Sequence, residues 1–175
     1  KFKGGIYMDF LSRRTIRKFK EKKVEKEVVM ELMKTALVSP SGRNQRPYEF
    51  VVIDDKDIIK KLSVSKENGA VFAAEAPLMI VIFGHQNPTW DDDCAIASTI
   101  IQLKAHELGL GSCWIQTKEK VDAEGNSTDE NIKKILGAPS ELKVHNMIAL
   151  GYPAEEKPAY TDADADMTKL HFNKF

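Results

Sequence analysis

Apolar positions recur at helical spacing in two segments of the first half of the chain. One set precedes Pro40 and predicts a helix that ends before that proline, and a shorter set predicts a second, short amphipathic helix. The two sets are Val28, Val29, Leu32, Met33, Ala36 and Leu37, and then Ile58, Ile59 and Leu62.

Three further helices follow from the same kind of pattern. Small and apolar residues cover most faces of 95–108, which predicts a largely buried helix that ends at Gly109. A later helix carries Ile132 and Ile135, with Thr128 as its expected cap. A short helix is also expected just after Asp9, another residue type that caps helices.

Four short apolar runs predict β-strands between these helices. They cover 50–53, 78–83, 113–115 and 147–150. Because helices and strands alternate, the pattern by itself favours a parallel α/β sheet. The sequence contains neither a G-x-G-x-x-G motif after the first strand nor a G-x-x-x-x-G-K-[ST] motif, so it supports no Rossmann or P-loop nucleotide site.

The two ends of the chain depart from this pattern. Met8 is a candidate native start, with residues 1–7 as an added remnant; alternatively, the numbering begins inside a longer chain. After Pro153 the chain is polar and acidic, with too few apolar residues to pack alone. Leu170, Phe172 and Phe175 nevertheless predict that this tail packs on some other surface.

Composition argues against nucleic-acid-binding, membrane-spanning and metal-binding proteins. The length of 175 residues suits a single domain over 1–175, and 26 basic against 26 acidic residues favour neither a nucleic-acid nor an anionic-membrane partner. No apolar run approaches the ~20 residues of a membrane span. Cys94 and Cys113 lie in no metal-binding spacing, and the four histidines are scattered. We therefore expect free thiols in a reducing cytoplasm and no metal site.

A basic segment near the N-terminus is the first candidate for chemistry. Arg13, Arg14 and Arg17 accompany the hydroxyls of Ser12 and Thr15 within six residues. Guanidinium groups bind phosphate through a planar fork of donors. The alternative is a solvated basic stretch, which the lysines immediately downstream favour and the apolar residue between Thr15 and Arg17 opposes.

Two loops are the other candidates. Residues 39–47 contain two prolines and a glycine, which indicate a rigid loop, and their Ser, Asn and Gln side chains suit the edge of a planar heterocycle. The alternative is an ordinary polar connection. In residues 109–116 two glycines allow a close backbone approach, and Trp114 either packs in the core or covers a ring.

Taken together, the motifs resemble the nitroreductase family of flavoproteins in their order and separations. They are R-R-T-I-R at 13–17, P-S-G-R-N-Q-R-P at 40–47, A-P-L-M-I-V at 76–81, G-L-G-S-C-W-I at 109–115 and L-G-Y-P at 150–153. The resemblance extends from Met8 to about Tyr160.

The resemblance implies an α+β fold, in which helices flank a mixed sheet and two copies form an interlocked homodimer. It implies FMN at the dimer interface, with NADH or NADPH as the electron donor. The activity would be ping-pong reduction of a small nitroaromatic, quinone or similar acceptor. The flavin carries this chemistry, so no catalytic side chain is expected. The tail, residues 158–175, would cross to the other subunit.

The resemblance also assigns residues to parts of the FMN site. The expected contacts to the phosphate and ribityl chain are Arg13, Arg14, Thr15 and Arg17. The loop that reaches the flavin of the partner subunit contains Pro40, Ser41, Arg43 and Asn44. The expected neighbours of the ring are Asn68, Ile115, Gln116 and Thr117, and Lys157 is the expected late phosphate contact.

The chain departs from the family pattern in three places, and the last two bear on substrate range and on the late phosphate contact. Arg46 stands where the family commonly has Gln, Gln116-Thr117 replaces the usual Gly or Glu-Gly, and the Pro/Arg-rich ending is missing. Two alternatives to the oxidoreductase therefore stay open. One is a flavin-binding protein with a sensing role and no turnover. The other is different flavin chemistry on the same fold, such as dehalogenation or flavin fragmentation.

Overall fold

The computed structural model describes residues 9–175, so Met8 and the interpretation of residues 1–7 lie outside it. Within that part of the chain, four helices alternate with four strands. In chain order they are α1 (Lys26–Leu37), β1 (Tyr48–Ile53), α2 (Lys56–Ser63), β2 (Leu78–Gly84), α3 (Trp90–Glu107), β3 (Gly111–Gln116), α4 (Thr128–Leu136) and β4 (Lys143–Gly151). None of these helices is long and apolar enough to cross a membrane.

The strands form a single sheet in the order β1-β2-β4-β3, and each neighbouring pair is antiparallel. The α+β class is therefore confirmed, and the parallel α/β sheet favoured by the pattern alone is wrong. The reason is that α2 and α4 each return the chain beside the strand it has just left, in the opposite direction. A parallel contact occurs at the outer edge of β3, where Thr15 forms a bridge with Ser112.

Helices cover both faces of the sheet and create two apolar cores. In β2, Leu78, Ile80 and Ile82 face α1 and α3, whereas the alternate side chains face α2 and α4. This explains why β2 is a continuous apolar run, since both of its faces are buried. Burial of each such side chain contributes about 1.5–3 kcal/mol, so the sheet is a rigid support for the segments at its edge.

Three local predictions need correction. Residues after Asp9 form a turn rather than a helix: the Asp9 carboxylate accepts the Leu11 N–H at 3.0 Å, and the chain then becomes extended. Ser127, not Thr128, caps α4 through its side chain. Helix α3 begins at Trp90, several residues before the apolar pattern, because its first turn is acidic and stabilised by the helix dipole.

The N-terminal segment is held against the start of β3. The Ile16 N–H donates to the Ser112 carbonyl at 3.0 Å, and Ile16 is buried directly over Gly111. A Cβ at Gly111 would lie 2.7 Å from the Ile16 Cβ, so this close approach requires glycine. The pairing fixes Arg13 and Arg14 beside the beginning of β3.

Candidate active site

A cleft of about 260 Å³ lies between the N-terminal segment, the C-terminal end of α3 and the start of β3. Its lining includes the cations Arg13, Arg14 and Lys157 and the hydroxyl residues Ser12 and Ser112. The structure thus brings the early arginines together with the late lysine, although more than a hundred positions separate them in sequence. Clustered donors of this kind suit an anion with several oxygens.

The positive charge of the cleft is compensated only in part, since a carboxylate oxygen of Glu155 lies 3.9 Å from Lys157 Nζ. Among the described residues, the Arg13 guanidinium forms neither a hydrogen bond nor an ion pair, and Lys157 Nζ donates to the Thr15 carbonyl at 2.6 Å. The carboxylate in the lining belongs to Glu155. It accepts hydrogen bonds from the backbone N–H groups of Arg17 and Lys18, at 2.5 and 3.1 Å. The Arg17 N–H therefore lowers the pKa of Glu155, which stays ionised and occupied by backbone donors.

Arg14 has a second role, because it attaches the tail to the cleft. Its guanidinium donates to the Pro158 carbonyl and stacks on the Tyr160 ring, 4.2 Å from the centroid. The Tyr160 N–H also donates to the Leu11 carbonyl at 2.8 Å. The tail is thus fixed to the N-terminal segment as far as Tyr160.

Arg17 lies apart from the other two arginines. It is exposed, with its guanidinium 5.9 Å from the centroid of the Phe72 ring. It also approaches the Cys113 thiol, where burial raises the thiol pKa and Arg17 opposes the increase. Arg17 does not line the cleft that contains Arg13 and Lys157, which we call the anion cleft. The arginines of the one basic motif in the sequence therefore lie at two different places on the surface.

The loop of residues 39–47 has a strained backbone. Arg43, Asn44 and Arg46 have φ values of 52°, 56° and 49°, a region that non-glycine residues rarely adopt. The loop bonds to itself, since the Arg46 N–H donates to Ser41 Oγ at 2.8 Å and its Nε donates to Asn44 Oδ1 at 3.1 Å. Strain of this kind persists where surrounding contacts over-determine the backbone, often at functional sites.

Asp93, in the first turn of α3, anchors this loop. Its carboxylate accepts the Gly42 N–H and the Thr89 hydroxyl, both at 2.8 Å, while its side chain is buried. Sequence reasoning missed Asp93. The available signal was a run of three aspartates directly before the apolar helix pattern, where a carboxylate that becomes buried requires a partner.

The end of β3 offers mainly backbone to a ligand. Ile115 is in the core, and Thr117 is buried with its hydroxyl donating to the His145 carbonyl at 3.0 Å. The Gln116 side chain is exposed, and the backbone carbonyl of Gln116 accepts a hydrogen bond from Lys66 Nζ at 2.9 Å. Lys66 was also missed from the sequence; its burial lowers the pKa of its amine.

Asn68 and Pro40 lie at the surface, on separate loops. Asn68 is exposed in the loop after α2, beside Lys66 and Lys120. Pro40 is exposed at the start of the strained loop, before Ser41. Neither residue lines the cleft that contains Arg13.

The sequence profile described as the nitroreductase family matches residues 11–70 and 64–152. Together these two matches include the N-terminal arginines, the loop of residues 39–47 and β3. The chain belongs to the nitroreductase family.

Solved and sequenced nitroreductase relatives agree with this assignment. An FMN-dependent nitroreductase structure from Clostridium difficile R20291 is 44% identical, with a TM-score of 0.92 over 94% of this chain and 97% of that one. A Methanothermobacter thermautotrophicus protein, provisionally named NADH dehydrogenase/NAD(P)H nitroreductase, is 30% identical over 94% of this chain and 84% of its own. An iodotyrosine deiodinase of Thermotoga neapolitana is 25% identical over 85% and 88%. The chain is therefore an enzyme of a family with more than one activity.

In this family member, the two halves of the candidate site lie at opposite ends of α3. The anion cleft is next to His106 and Gly109 at the C-terminal end, whereas the strained loop contacts Thr89 and Asp93 at the N-terminal end. A helix of 18 residues is about 27 Å long. Within one chain, the loop is thus remote from the cleft.

Replacement of Asp93 by Ala should destabilise the protein by about 1–3 kcal/mol, because the Gly42 N–H would lose its buried acceptor. Asp93→Asn should cost less, since its amide oxygen can still accept that N–H while its NH2 donates to Thr89. Chemical denaturation of both variants measures the difference. Equal stability of Asp93→Ala and wild type would contradict the proposed anchoring of the loop.

Proposed function

We propose that the chain is an FMN-dependent oxidoreductase, and the cleft beside Arg13 is the observation that carries the proposal. A phosphate monoester has a charge of about −1.5 to −2 at neutral pH and three acceptor oxygens. Arg13 and Lys157 supply cationic donors, and Ser112 supplies a hydroxyl, so the residues present fit the phosphate end of FMN. When bound, FMN would supply the redox chemistry.

The protein's own task is to bind and orient that cofactor. Arg13 would hold the phosphate, and the backbone at Gln116 and Thr117 would lie beside the ring. Asn44 would come from the partner subunit, because its loop lies at the other end of α3. The strained, internally bonded loop supports this role, since a preorganised donor loses little entropy on binding.

The electron donor and acceptor are proposed from the names of relatives and from the family resemblance. NADH or NADPH would donate electrons and leave, and a nitroaromatic, quinone or similar acceptor would then occupy the same pocket. Dehalogenation remains a second candidate, because a deiodinase is among the relatives and Gln116-Thr117 departs from the usual family residues. An acceptor panel on the flavin-loaded protein distinguishes these activities.

A homodimer is proposed from the apolar surface of the protomer. Met30 and Leu37 of α1, Val38 directly after that helix, and Ile96 of the adjacent α3 are 40–63% exposed. An apolar surface of this extent on neighbouring helices is typical of a protein interface. An isologous dimer that packs these helices antiparallel would bring the loop of one subunit to the cleft of the other.

The two buried free cysteines support a cytoplasmic location.

The purified protein, loaded with FMN and passed over gel filtration, should be yellow, and NADH or NADPH should bleach it in stopped-flow mixing. Initial rates against both substrates should give the parallel lines of ping-pong kinetics. The measurement thus separates an enzyme from a passive flavin carrier.

Two results would count against the proposal. A protein that stays colourless after incubation with excess FMN would exclude the flavin site. A yellow protein that neither nicotinamide cofactor reduces would retain the flavin but exclude nicotinamide-dependent turnover.

A further inference from the structure

A β-bulge in β4 aims His145 at α3. Ile82 of β2 pairs with Asn146, but the next residue, Phe83, pairs with Val144, so His145 is an extra residue in its strand. Side chains normally alternate across a strand, but the bulge turns both His145 and Asn146 toward α3. Bulges often re-aim side chains near active sites.

His145 is fixed on every side. It is buried, with Nδ1 2.7 Å from Asn146 Oδ1 and Nε2 3.3 Å from the Asp91 carboxylate. Its ring meets the rings of Trp90 and Trp114 edge to face, with centroids 6.0 and 5.6 Å away. His145 therefore forms a rigid backing for the Trp114 indole.

Trp114 in turn fixes the amide of Gln116. The indole Nε1 lies 2.9 Å from Gln116 Oε1. An indole N–H can only donate, so the amide atom that faces it must be the oxygen. The Gln116 NH2 group consequently points away from the indole, and among the described residues it donates to no acceptor.

We propose that Gln116 determines acceptor specificity by donating its amide N–H to an oxygen of the acceptor, with Trp114 and His145 as positioning residues. The inference rests on the proposed FMN-dependent activity, which locates the acceptor beside the end of β3. Oxygen atoms of nitro and quinone groups gain negative charge as they are reduced. A preoriented donor aimed at such an atom favours that reduction, and no proton transfer from Gln116 is required.

The geometry can be tested without flavin or turnover. In a ¹H–¹⁵N NMR spectrum of the apo protein, the Trp114 indole resonance should move upfield in Gln116→Leu, because it loses its acceptor. The Trp90 indole resonance provides an internal control, since Trp90 contacts the same histidine but not Gln116. An unchanged Trp114 resonance would overturn the inference.

Kinetics test the specificity. Trp114→Phe keeps a ring against His145 but removes the donor, and it should lower kcat/KM for a quinone about three- to tenfold relative to ferricyanide, an outer-sphere acceptor. The matched variant Trp90→Phe should leave that ratio unchanged. In a Gln116→Leu background, Trp114→Phe should add no further loss of the ratio, because both changes remove the same interaction.

The outcomes separate this inference from the proposed function. If FMN does not bind or the nicotinamide cofactor does not reduce it, the proposed function fails. If FMN is bound and reduced normally but Gln116→Leu and Trp114→Phe leave the quinone-to-ferricyanide ratio at the wild-type value, the specificity role of Gln116 fails alone. A ratio that changes independently in the two variants would exclude Trp114 as its positioning residue.

Discussion

Deletion of residues 161–175 is expected to dissociate the proposed dimer at micromolar concentration and to release FMN. Within the protomer, Met167, Leu170, Phe172 and Phe175 are at least half exposed, which is an unfavourable state for four large apolar side chains in one short segment. Burial of each against a partner would contribute about 1.5–3 kcal/mol, twice over in a symmetric dimer. The loss would exceed that from any single surface contact.

The cut after Tyr160 keeps the contacts that attach the tail to its own protomer. Arg14 still holds Pro158 and Tyr160, so the deletion removes the exposed segment and leaves every residue that lines the anion cleft in place. Light scattering measures the mass, and equilibrium titration measures FMN affinity. The full-length double variant Leu170→Ser/Phe172→Ser controls for chain length. It should also lower the mass measured by light scattering and weaken FMN binding. A truncated protein that remains a yellow dimer would mean that the tail is a passive extension.

A mixed dimer tests whether the site is shared between subunits. Arg13→Ala damages the cleft, and Asn44→Ala damages the loop that we propose to serve the opposite cleft. Co-expression of the two variants should restore one intact site in each mixed dimer, although each variant alone has none. No recovery of FMN binding in the isolated mixed dimer would mean that the cleft and loop serve a site within one subunit.

Arg13→Ala is expected to weaken FMN binding about ten- to hundredfold. A hydrogen bond to a charged group contributes roughly 1.5–3 kcal/mol, and Arg13 is oriented into the cleft with no competing partner among the described residues. Lys20→Ala is the matched control, since Lys20 is exposed in the same basic segment and should contribute about 0–1 kcal/mol. Equilibrium fluorescence titration of FMN measures both.

Replacement of Arg13 tests the phosphate contact more directly than replacement of Arg14 or Arg17. Replacement of Arg14 would also detach Pro158 and Tyr160, and Arg17 lies beside Phe72 rather than in the cleft. The sequence alone predicts a larger loss for Arg14→Ala or Arg17→Ala than for Lys20→Ala or Lys22→Ala. Small and equal losses for Arg13→Ala and Lys20→Ala would instead support a solvated basic segment.

The sequence by itself determined the elements whose signals are local. The spacing from Val28 to Leu37 predicted α1, and the continuous apolar run at 78–83 predicted the strand β2. The family followed from the order of five motifs. These features depend on neighbouring residues or on separations along the chain, which a sequence records directly.

Only the tertiary structure decided which distant groups meet. It replaced a parallel sheet by antiparallel pairs, joined Arg13 to Lys157, and buried Asp93 under the loop that contains Asn44. It also revealed the bulge at His145, since a bulge exists only relative to the register of the neighbouring strand. Strand pairing and charge compensation arise from contacts between residues remote in sequence, and local hydrophobic periodicity contains no record of those contacts.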